Sequence, residues 1–359
     1  MKPLIAVAVS GGIDSLMAAH LLKEKGQKVI GVHFVTGYED PDPENGQSTH
    51  LLESHKIFPI AKQLGIDIKI LDCHIEFKKN VVDYFIRTYQ AGQTPNPCMV
   101  CNPIIKFGTV FNFVHKLGAS TLATGHYAKI KEDNHGKFHL YKGVDPKKDQ
   151  SYFLARLTQQ QLSNACFPLG NIKKSDVIQM ADKKGFKPVK TSESQDVCFI
   201  KGKTYGNFLA RHEGFNAKTG QIIDVHGNVI GEHHGLHLFT IGQRRGINCP
   251  ASEPYYVIQI DTQQNILTVG FKKDLFASQC KVEHINWIQE APSQTVTVDT
   301  RVRYRHTAAA SRLTPIGVKT AMIRFEKPQE AITPGQCAVF YKGDEVLGGG
   351  WISPTSAHP

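Results

Sequence analysis

The first uninterrupted apolar run of the chain is Leu4 to Val9, six residues that include Ile5, Val7 and Val9. Its length and β-branched content predict a buried strand of the kind found in parallel sheets. Ser10-Gly11-Gly12 ends the run, and from Asp14 the apolar positions Leu16, Ala19 and Leu22 follow helical spacing. A strand that turns through glycine into a helix aims backbone N–H groups and the helix dipole at one spot, which suits a phosphate. A Cβ in that turn would block close approach of an anion. No Gly-Lys-Ser/Thr follows, so the turn is not a Walker loop, and the absence of Gly-x-Gly-x-x-Gly argues against a dinucleotide. Taken alone, the turn also fits a strand–helix corner that binds nothing.

Strand-like and helix-like patterns alternate up to about residue 125. Lys28 to Val35 and Ile66 to Leu71 read as strands, Lys56 to Leu64 and Glu76 to Tyr89 as helices, and Gly37 to Gln47 as a polar loop. Asn102 to Leu117 reads as a further helix, and Ser120 to Thr124 as a short strand entering Gly125-His126-Tyr127. Such units predict an α/β domain, a doubly wound parallel sheet with helices on both faces. Ligands of such sheets sit at the carboxyl ends of the strands, where Ser10–Ser15, Phe34 and Gly125-His126 all fall. Beyond them, Lys129 to Tyr141 reads as a hairpin, and Leu157 to Asn164 and Lys174 to Lys184 as helices.

From about Gly202 the texture changes to short strands broken by Gly, His and Asn, with a hairpin at Val225–Val229. After Cys280 strands recur at roughly ten-residue spacing, at Thr295–Thr300, Lys319–Phe325, Ala338–Tyr341 and Glu345–Leu347, which suggests a small barrel or sandwich. Trp287 and Trp351 are expected to pack that barrel. The predicted organisation is an N-terminal catalytic domain over 1–201, a small central β-rich domain over 202–276 and a C-terminal β-barrel over 277–359.

Composition refines this picture. A chain of 359 residues fits two or three domains, and 41% hydrophobic with 21% charged residues describes an ordinary globular protein. The formal charge of +10 favours a polyanionic partner. No apolar run approaches the ~18 residues needed to span a bilayer, and Met1-Lys2-Pro3 leads straight into the first strand, leaving no room for a leader. Eight unevenly spaced cysteines do not resemble a secreted disulfide framework, so a reducing cytoplasm is expected. Paired cysteines there point to catalysis or metal.

One such pair lies in Thr94-Pro95-Asn96-Pro97-Cys98-Met99-Val100-Cys101-Asn102, a proline-stiffened loop running into a helix. With Asn102 as N-cap, Cys101 would sit beside the helix N-terminus, which lowers a thiol pKa. A zinc knuckle needs four ligands, and this chain offers no clean second pair. Cys73, Cys166, Cys249, Cys280 and Cys337 stand singly in apolar or loop contexts, as buried filler does. Cys198 differs, because a polar run, Thr191 to Asp196, precedes it and Phe199-Ile200 follow.

Ser10-Gly11-Gly12-Ile13-Asp14-Ser15 behind a buried strand resembles the signature of the PP-loop ATP pyrophosphatases, which split ATP between its α and β phosphates. Further blocks sharpen the resemblance: Pro95 to Asn102 with Ile105-Lys106-Phe107, Ala123 to Tyr127, Lys148 to Leu154, Ser194 to Ile200 and Phe239 to Gly246. In order and over essentially the whole chain, the set resembles the tRNA-specific 2-thiouridylase family, which makes 2-thiouridine at the wobble position of certain tRNAs.

That resemblance implies ATP and Mg2+ as cofactors. Ala8, Val9, Ser10, Gly11, Gly12, Ile13, Asp14 and Ser15 would hold the pyrophosphate, and Phe34 and Gly125 would line the adenosine site. Cys198 would carry sulfur as a persulfide, with Cys101 as the partner thiol and a Cys101–Cys198 disulfide to be reduced for turnover. Asn96, Pro97 and Cys98 would surround the flipped target base, with His126, Lys148, Asp149, Gln150 and Gln336 touching the tRNA. Arg301-Val302-Arg303-Tyr304-Arg305-His306 reads as a strand face of alternating cations. A solvated face is its plain reading, and the basic total with the family match favours RNA contact through Arg303 and Tyr304. The implied partners are a tRNA with a wobble uridine and a persulfide-donating carrier protein or desulfurase; the enzyme is expected to be a cytoplasmic monomer that engages no membrane.

Some members of the family carry Asp where this chain has Cys98. Cys98, Cys101 and Cys198 therefore also suit a [4Fe–4S] cluster with one iron open to sulfide, as an alternative to the persulfide route. Two other readings compete. A PP-loop ligase adenylating a small carboxylate or amide would have no use for the three thiols, and a non-catalytic RNA-binding or iron–sulfur sensor protein would not need an intact Ser10–Ser15 loop. ATP-to-AMP turnover separates enzyme from sensor.

Overall fold

The computed structural model describes residues 2–39, 49–189, 197–200, 204–212 and 217–354. Positions 40–47 of the expected polar loop, the run Thr191 to Asp196 and the boundary at 201–202 lie outside the described residues. The first part of the chain forms seven strands: β1 (Leu4–Ala8), β2 (Lys28–Val35), β3 (Ile68–Asp72), β4 (Ala119–Ala123), β5 (Ala128–Glu132), β6 (Phe138–Lys142) and β7 (Ala165–Cys166). Five of them make a wholly parallel sheet in the order β3-β2-β1-β4-β7. β1 is central and shows why an unbroken apolar run was required. Ile5, Val7 and Val9 face a core shared with helix α1 (Ile13–Glu24), while Ala6 and Ala8 face a second core on the other side of the sheet.

That second core contains the long helix Pro97–Lys116, which buries Met99, Ile105, Phe107, Val110 and Val114. At 20 residues it is long and apolar enough to cross a membrane, contrary to the expectation from the apolar runs. Its burial in the sheet's flank accounts for that composition. The helix also begins earlier than expected: Pro97 is its first residue and Asn96 its N-cap, so Asn102 lies inside it and donates from Nδ2 to the Phe153 carbonyl at 2.9 Å. Cys101 therefore sits one turn in, not at the N-terminus, because proline is favoured at the first helical position. The stretch Asn102–Val110 is π-wound.

The predicted hairpin forms as β5 and β6, but it leaves the parallel sheet and pairs through Tyr141 and Leu140 with a strand of the C-terminal barrel. The central segment forms β8 (Gly220–Ile223), β9 (Val229–His233), β10 (Tyr256–Asp261) and β11 (Ile266–Gly270), packed on Phe239 and Ile247. The barrel strands are β12 (Phe276–Trp287), β13 (Val296–Arg301), β14 (Ala309–Gly317), β15 (Thr320–Glu330), β16 (Cys337–Lys342) and β17 (Glu345–Ile352). They run antiparallel in the order β12-β15-β14-β13-β16-β17, and β17 pairs back with β12, which closes a six-stranded barrel. Closure leaves the barrel itself no free edge, and the β17–β6 pairing extends its sheet by the hairpin β5–β6 of the N-terminal segment. Trp287 stacks on Phe340 in the barrel, whereas Trp351 lies at the seam against Tyr84 and Arg156.

Candidate active site

The sheet order reverses between β1 and β4, and the two expected corners of the site occupy the carboxyl ends of those strands. After β1, Gly11 adopts φ +87°, which glycine alone takes without strain, and Gly12 is the N-cap of α1. Ser15 Oγ donates to the Gly12 carbonyl at 2.9 Å and accepts from the Ser10 N–H at 3.2 Å, which pins the loop. Among the described residues the N–H groups of Gly11 to Asp14 have no protein partner, and they lie at the positive end of α1. Asp14 is balanced: Lys174 Nζ donates to both its oxygens at 2.6 and 2.8 Å, and Tyr127 Oη donates to Oδ1 at 2.7 Å. Gly125 presses on this turn so closely that a Cβ would lie 2.9 Å from Asp14 atoms and 3.0 Å from the Ser15 nitrogen. Phe34, at the exit of β2, is partly buried against the second core.

One residue beyond Gly125 the second corner begins. His126 is buried between Thr124 Oγ1, 2.6 Å from Nδ1, and Lys106 Nζ, 3.4 Å from Nε2. An ammonium can only donate, so Nε2 accepts and Nδ1–H donates to Thr124. This is a neutral imidazole, and burial first and the Lys106 charge second hold its pKa well below the usual histidine range. Lys106 lies on the same helix as Cys98 and Cys101, and its charge acts on both and on Cys198. Cys198 is brought there from about a hundred residues away because Phe199 plugs into the second core, edge-on to Phe85 at 5.2 Å and Phe77 at 5.7 Å. All three thiols are free. Cys98 and Cys198 reach the surface and Cys101 is half-buried, yet the protein packed around the sulfurs desolvates them: Cys101 is pushed up to about 12 and Cys198 up to about 11, each against the downward pull of Lys106, and Cys98 is raised as well. The lowered thiol expected at a helix N-terminus is thus reversed in this state, because Cys101 is inside the helix and desolvated.

The other sequence-predicted residues line the seams. Asn96 and Pro97 are buried beside exposed Cys98. Gln336 Nε2 donates to the Thr94 and Pro95 carbonyls at 3.0 Å, bracing the loop that carries them. Asp149 accepts from the N–H groups of Gly143 and Ser151 at 3.1 Å, Gln150 accepts from the Tyr127 N–H at 3.1 Å, and Lys148 is partly exposed on the same turn. The run Arg301 to His306 is not a strand face: β13 stops at Arg301, whose side chain folds back onto the Tyr304 and His306 carbonyls. The guanidinium stacks over Tyr304 at 5.1 Å, and Arg303 bridges the Ile241 carbonyl and Thr333 at the junction with the central segment.

Comparison with known proteins bears on this constellation. Residues 3–202 match the model of the tRNA methyl transferase HUP domain, 206–271 that of the tRNA methyl transferase PRC-barrel domain, and 277–352 that of the aminomethyltransferase beta-barrel domain. The chain is 48% identical over 351 residues to the tRNA-specific 2-thiouridylase MnmA of Desulfosudis oleivorans, covering 98% of this chain and 95% of that protein. The MnmA of Syntrophotalea carbinolica is 41% identical over 97% of this chain and 98% of its own, and that of Geobacter metallireducens 40% identical over 97% and 96%. The chain belongs to the tRNA-specific 2-thiouridylase family.

Among the described residues no group of three or more His, Cys, Asp or Glu side chains could hold a metal ion. Sequence reasoning quoted Lys106 and Tyr127 without giving either a role and used Lys174 only as a helix boundary; the parts all three play are visible only through long-range contacts. It also missed Arg324. On the outer barrel face Arg312 stands directly opposite Arg324, flanked by Thr297 and Gln279 on the neighbouring strands. Both arginines are exposed and without a protein partner among the described residues. Like charges directly opposite are unfavourable unless an anion lies between them.

Proposed function

We propose that the chain is a tRNA-uridine 2-sulfurtransferase that adenylates the wobble uridine and then transfers sulfur from a cysteine persulfide. The observation that carries this reading is the continuity of the two corners. Gly125 abuts the Asp14 turn, His126 follows it, and Lys106 joins His126 to the surroundings of Cys98, Cys101 and Cys198. An anion site and a sulfur site that share one edge suit a base activated at the first and thiolated at the second.

In this reading Ala8 to Ser15 receive the phosphates of ATP with its Mg2+, and Phe34 and Gly125 flank the adenosine. The uridine O2 attacks the α phosphate and pyrophosphate leaves, which turns a poor leaving group into AMP. The terminal sulfur of the Cys198 persulfide attacks C2 and expels AMP, leaving Cys198 disulfide-bonded to the base. The Cys101 thiolate then attacks Cys198 Sγ, the 2-thiouridine sulfur departs with the bonding pair, and a Cys101–Cys198 disulfide remains for an external dithiol to reduce. Asn96, Pro97 and Cys98 frame the base, His126 and Lys148 to Gln150 border it, Gln336 braces the framing loop, and Arg303 and Tyr304 hold the RNA-facing junction. The persulfide comes from a carrier protein or desulfurase, and the enzyme acts as a cytoplasmic monomer. The segments 1–201, 202–276 and 277–359 serve as catalytic, central and tRNA-binding units.

The test uses protein purified anaerobically, assayed for iron and sulfide and then given unmodified tRNA, ATP and a persulfide donor. Iron-free protein is expected to form 2-thiouridine with one AMP and one pyrophosphate per base. Activity that tracks iron content would overturn the persulfide route. ATP cleavage that needs a small carboxylate instead of tRNA would overturn the substrate.

A further inference from the structure

We propose that Lys106 is a positioning residue for sulfur transfer: its ammonium group, fixed by neutral His126, is the shared counter-ion for the sulfur anions formed at Cys101 and Cys198. The inference rests on the thiolation reading above and adds to it a residue with a defined task. Lys106 is half-buried on the π-wound part of the helix that carries Cys98 and Cys101. Its one hydrogen bond among the described residues goes to His126 Nε2 at 3.4 Å, and no described carboxylate pairs with it. An interior lysine present only for packing would be expected to reach a carboxylate or a run of carbonyls; this one is held by a neutral ring on the helix that carries two of the thiols, and its charge acts on all three. His126 cannot neutralise it, since Nε2 offers a lone pair and Nδ1–H is committed to Thr124 Oγ1.

The surroundings sharpen the argument. The groups acting on Cys198 are Cys98, Lys106 and Glu39, and those acting on Cys101 are Lys106, Cys198, Cys98 and Cys73. Among these described groups Lys106 is the one cation and favours the anionic form of both sulfurs, whereas a backbone hydrogen bond at Cys198 favours the anion of that sulfur alone. Each thiol that ionises, or each persulfide that docks as an anion, gains the same partner. A single ammonium acting on two sulfurs also fixes order: the negative charge is best placed at one sulfur at a time, as a relay from Cys198 to Cys101 requires.

The experiment reads the sulfurs without tRNA or ATP, so its result is independent of whether the chain thiolates RNA. Iodoacetamide alkylation of Cys98, Cys101 and Cys198 is followed peptide by peptide by mass spectrometry as a function of pH, in the reduced full-length protein. Lys106→Met is expected to slow alkylation of Cys198 and Cys101 about tenfold near pH 8 and to move their profiles to higher pH, with Lys106→Arg restoring most of the rate. Lys116→Met, at the exposed far end of the same helix, is the control and leaves both profiles in place. Unchanged profiles in folded Lys106→Met protein overturn the proposal. If that variant does not fold, the wild-type profile is measured from low to high salt. Slower alkylation with rising salt supports a cationic partner, and salt-independent rates overturn it.

Discussion

The two corners of the candidate active site meet at Gly125 and His126, yet they are charged on opposite plans. In the phosphate corner the one buried cation, Lys174, is matched by the Asp14 carboxylate and seconded by Tyr127, so charge is balanced before any ligand arrives. What that corner offers a ligand is backbone, the N–H groups at the start of α1 that have no partner among the described residues. In the sulfur corner the cation is Lys106, and its only hydrogen-bond partner among the described residues is a neutral imidazole. A balanced site takes its anion on fixed dipoles and keeps its geometry. An unbalanced one is completed by the anion that forms within it. The first suits a substrate present at the outset, the second a nucleophile generated on demand.

The largest effects come from breaking one corner while leaving the other intact. Cys198→Ala is expected to reduce 2-thiouridine formation to background, at least ~100-fold, with ATP affinity within about twofold of wild type. Gly125→Ala drives a Cβ into contact with Asp14 at 2.9 Å and is expected to weaken ATP at least ~10-fold while Cys198 alkylation is unchanged. Thiolation surviving in Cys198→Ala would sink the sulfur-carrier assignment. Normal ATP affinity in Gly125→Ala would remove the β1–α1 turn as the nucleotide site. Thermal shift, isothermal titration with ATP and nucleoside analysis of the product tRNA supply the readouts.

Stability should register the same contrast at a smaller scale. Removing one partner of a buried pair leaves a desolvated charge, a loss of roughly 3–5 kcal/mol when both partners are fully buried. Lys174 is 9% exposed but Asp14 is 35% exposed, so water recovers part of that loss and about 2 kcal/mol is expected for Lys174→Met. Lys106→Met removes a cation with no carboxylate to strand, and its unfolding free energy should stay within about 0.5 kcal/mol of wild type. Equal losses in urea titrations of the two variants would erase the distinction between a balanced and an unbalanced corner.

What could be read from sequence follows from the range of the physics involved. β1, its turn and α1 were legible because a strand buried on both faces must be apolar at every position, and the turn glycine must supply φ +87° at Gly11. The barrel strands β12 and β14 escaped notice because bulges near Ala277, Glu283 and Pro315 break the alternation that marks a strand. Arg301 to His306 alternated like a strand and folds as a turn, since the Arg301 side chain binds the carbonyls of its own loop more readily than it extends the ladder. The helix start at Pro97 was written in the sequence as a first-turn proline, and reading Asn102 as the cap displaced Cys101 by one turn. No local signal places Cys198 beside Cys101. That neighbourhood depends on Phe199 finding Phe77 and Phe85, a packing event between distant segments.

The barrel repeats the contrast between matched and unmatched cations on a surface, where the effects are smallest. Arg303 is held by the Ile241 carbonyl and Thr333, whereas Arg312 and Arg324 face each other across β14 and β15 without protein partners among the described residues. Two guanidiniums in directly opposed positions repel, so Arg324→Thr should raise stability by about 0.5 kcal/mol in tRNA-free protein. If the pair is completed by an RNA phosphate, as Lys106 is proposed to be by sulfur, the same substitution should weaken tRNA binding about threefold and lower the salt slope of log K by about one. Filter binding over a series of salt concentrations measures both. A variant that gains stability with an unchanged salt slope would show that the pair repels but meets no phosphate. One that loses stability would show that the arginines are matched after all, and the analogy with Lys106 would end at the catalytic domain.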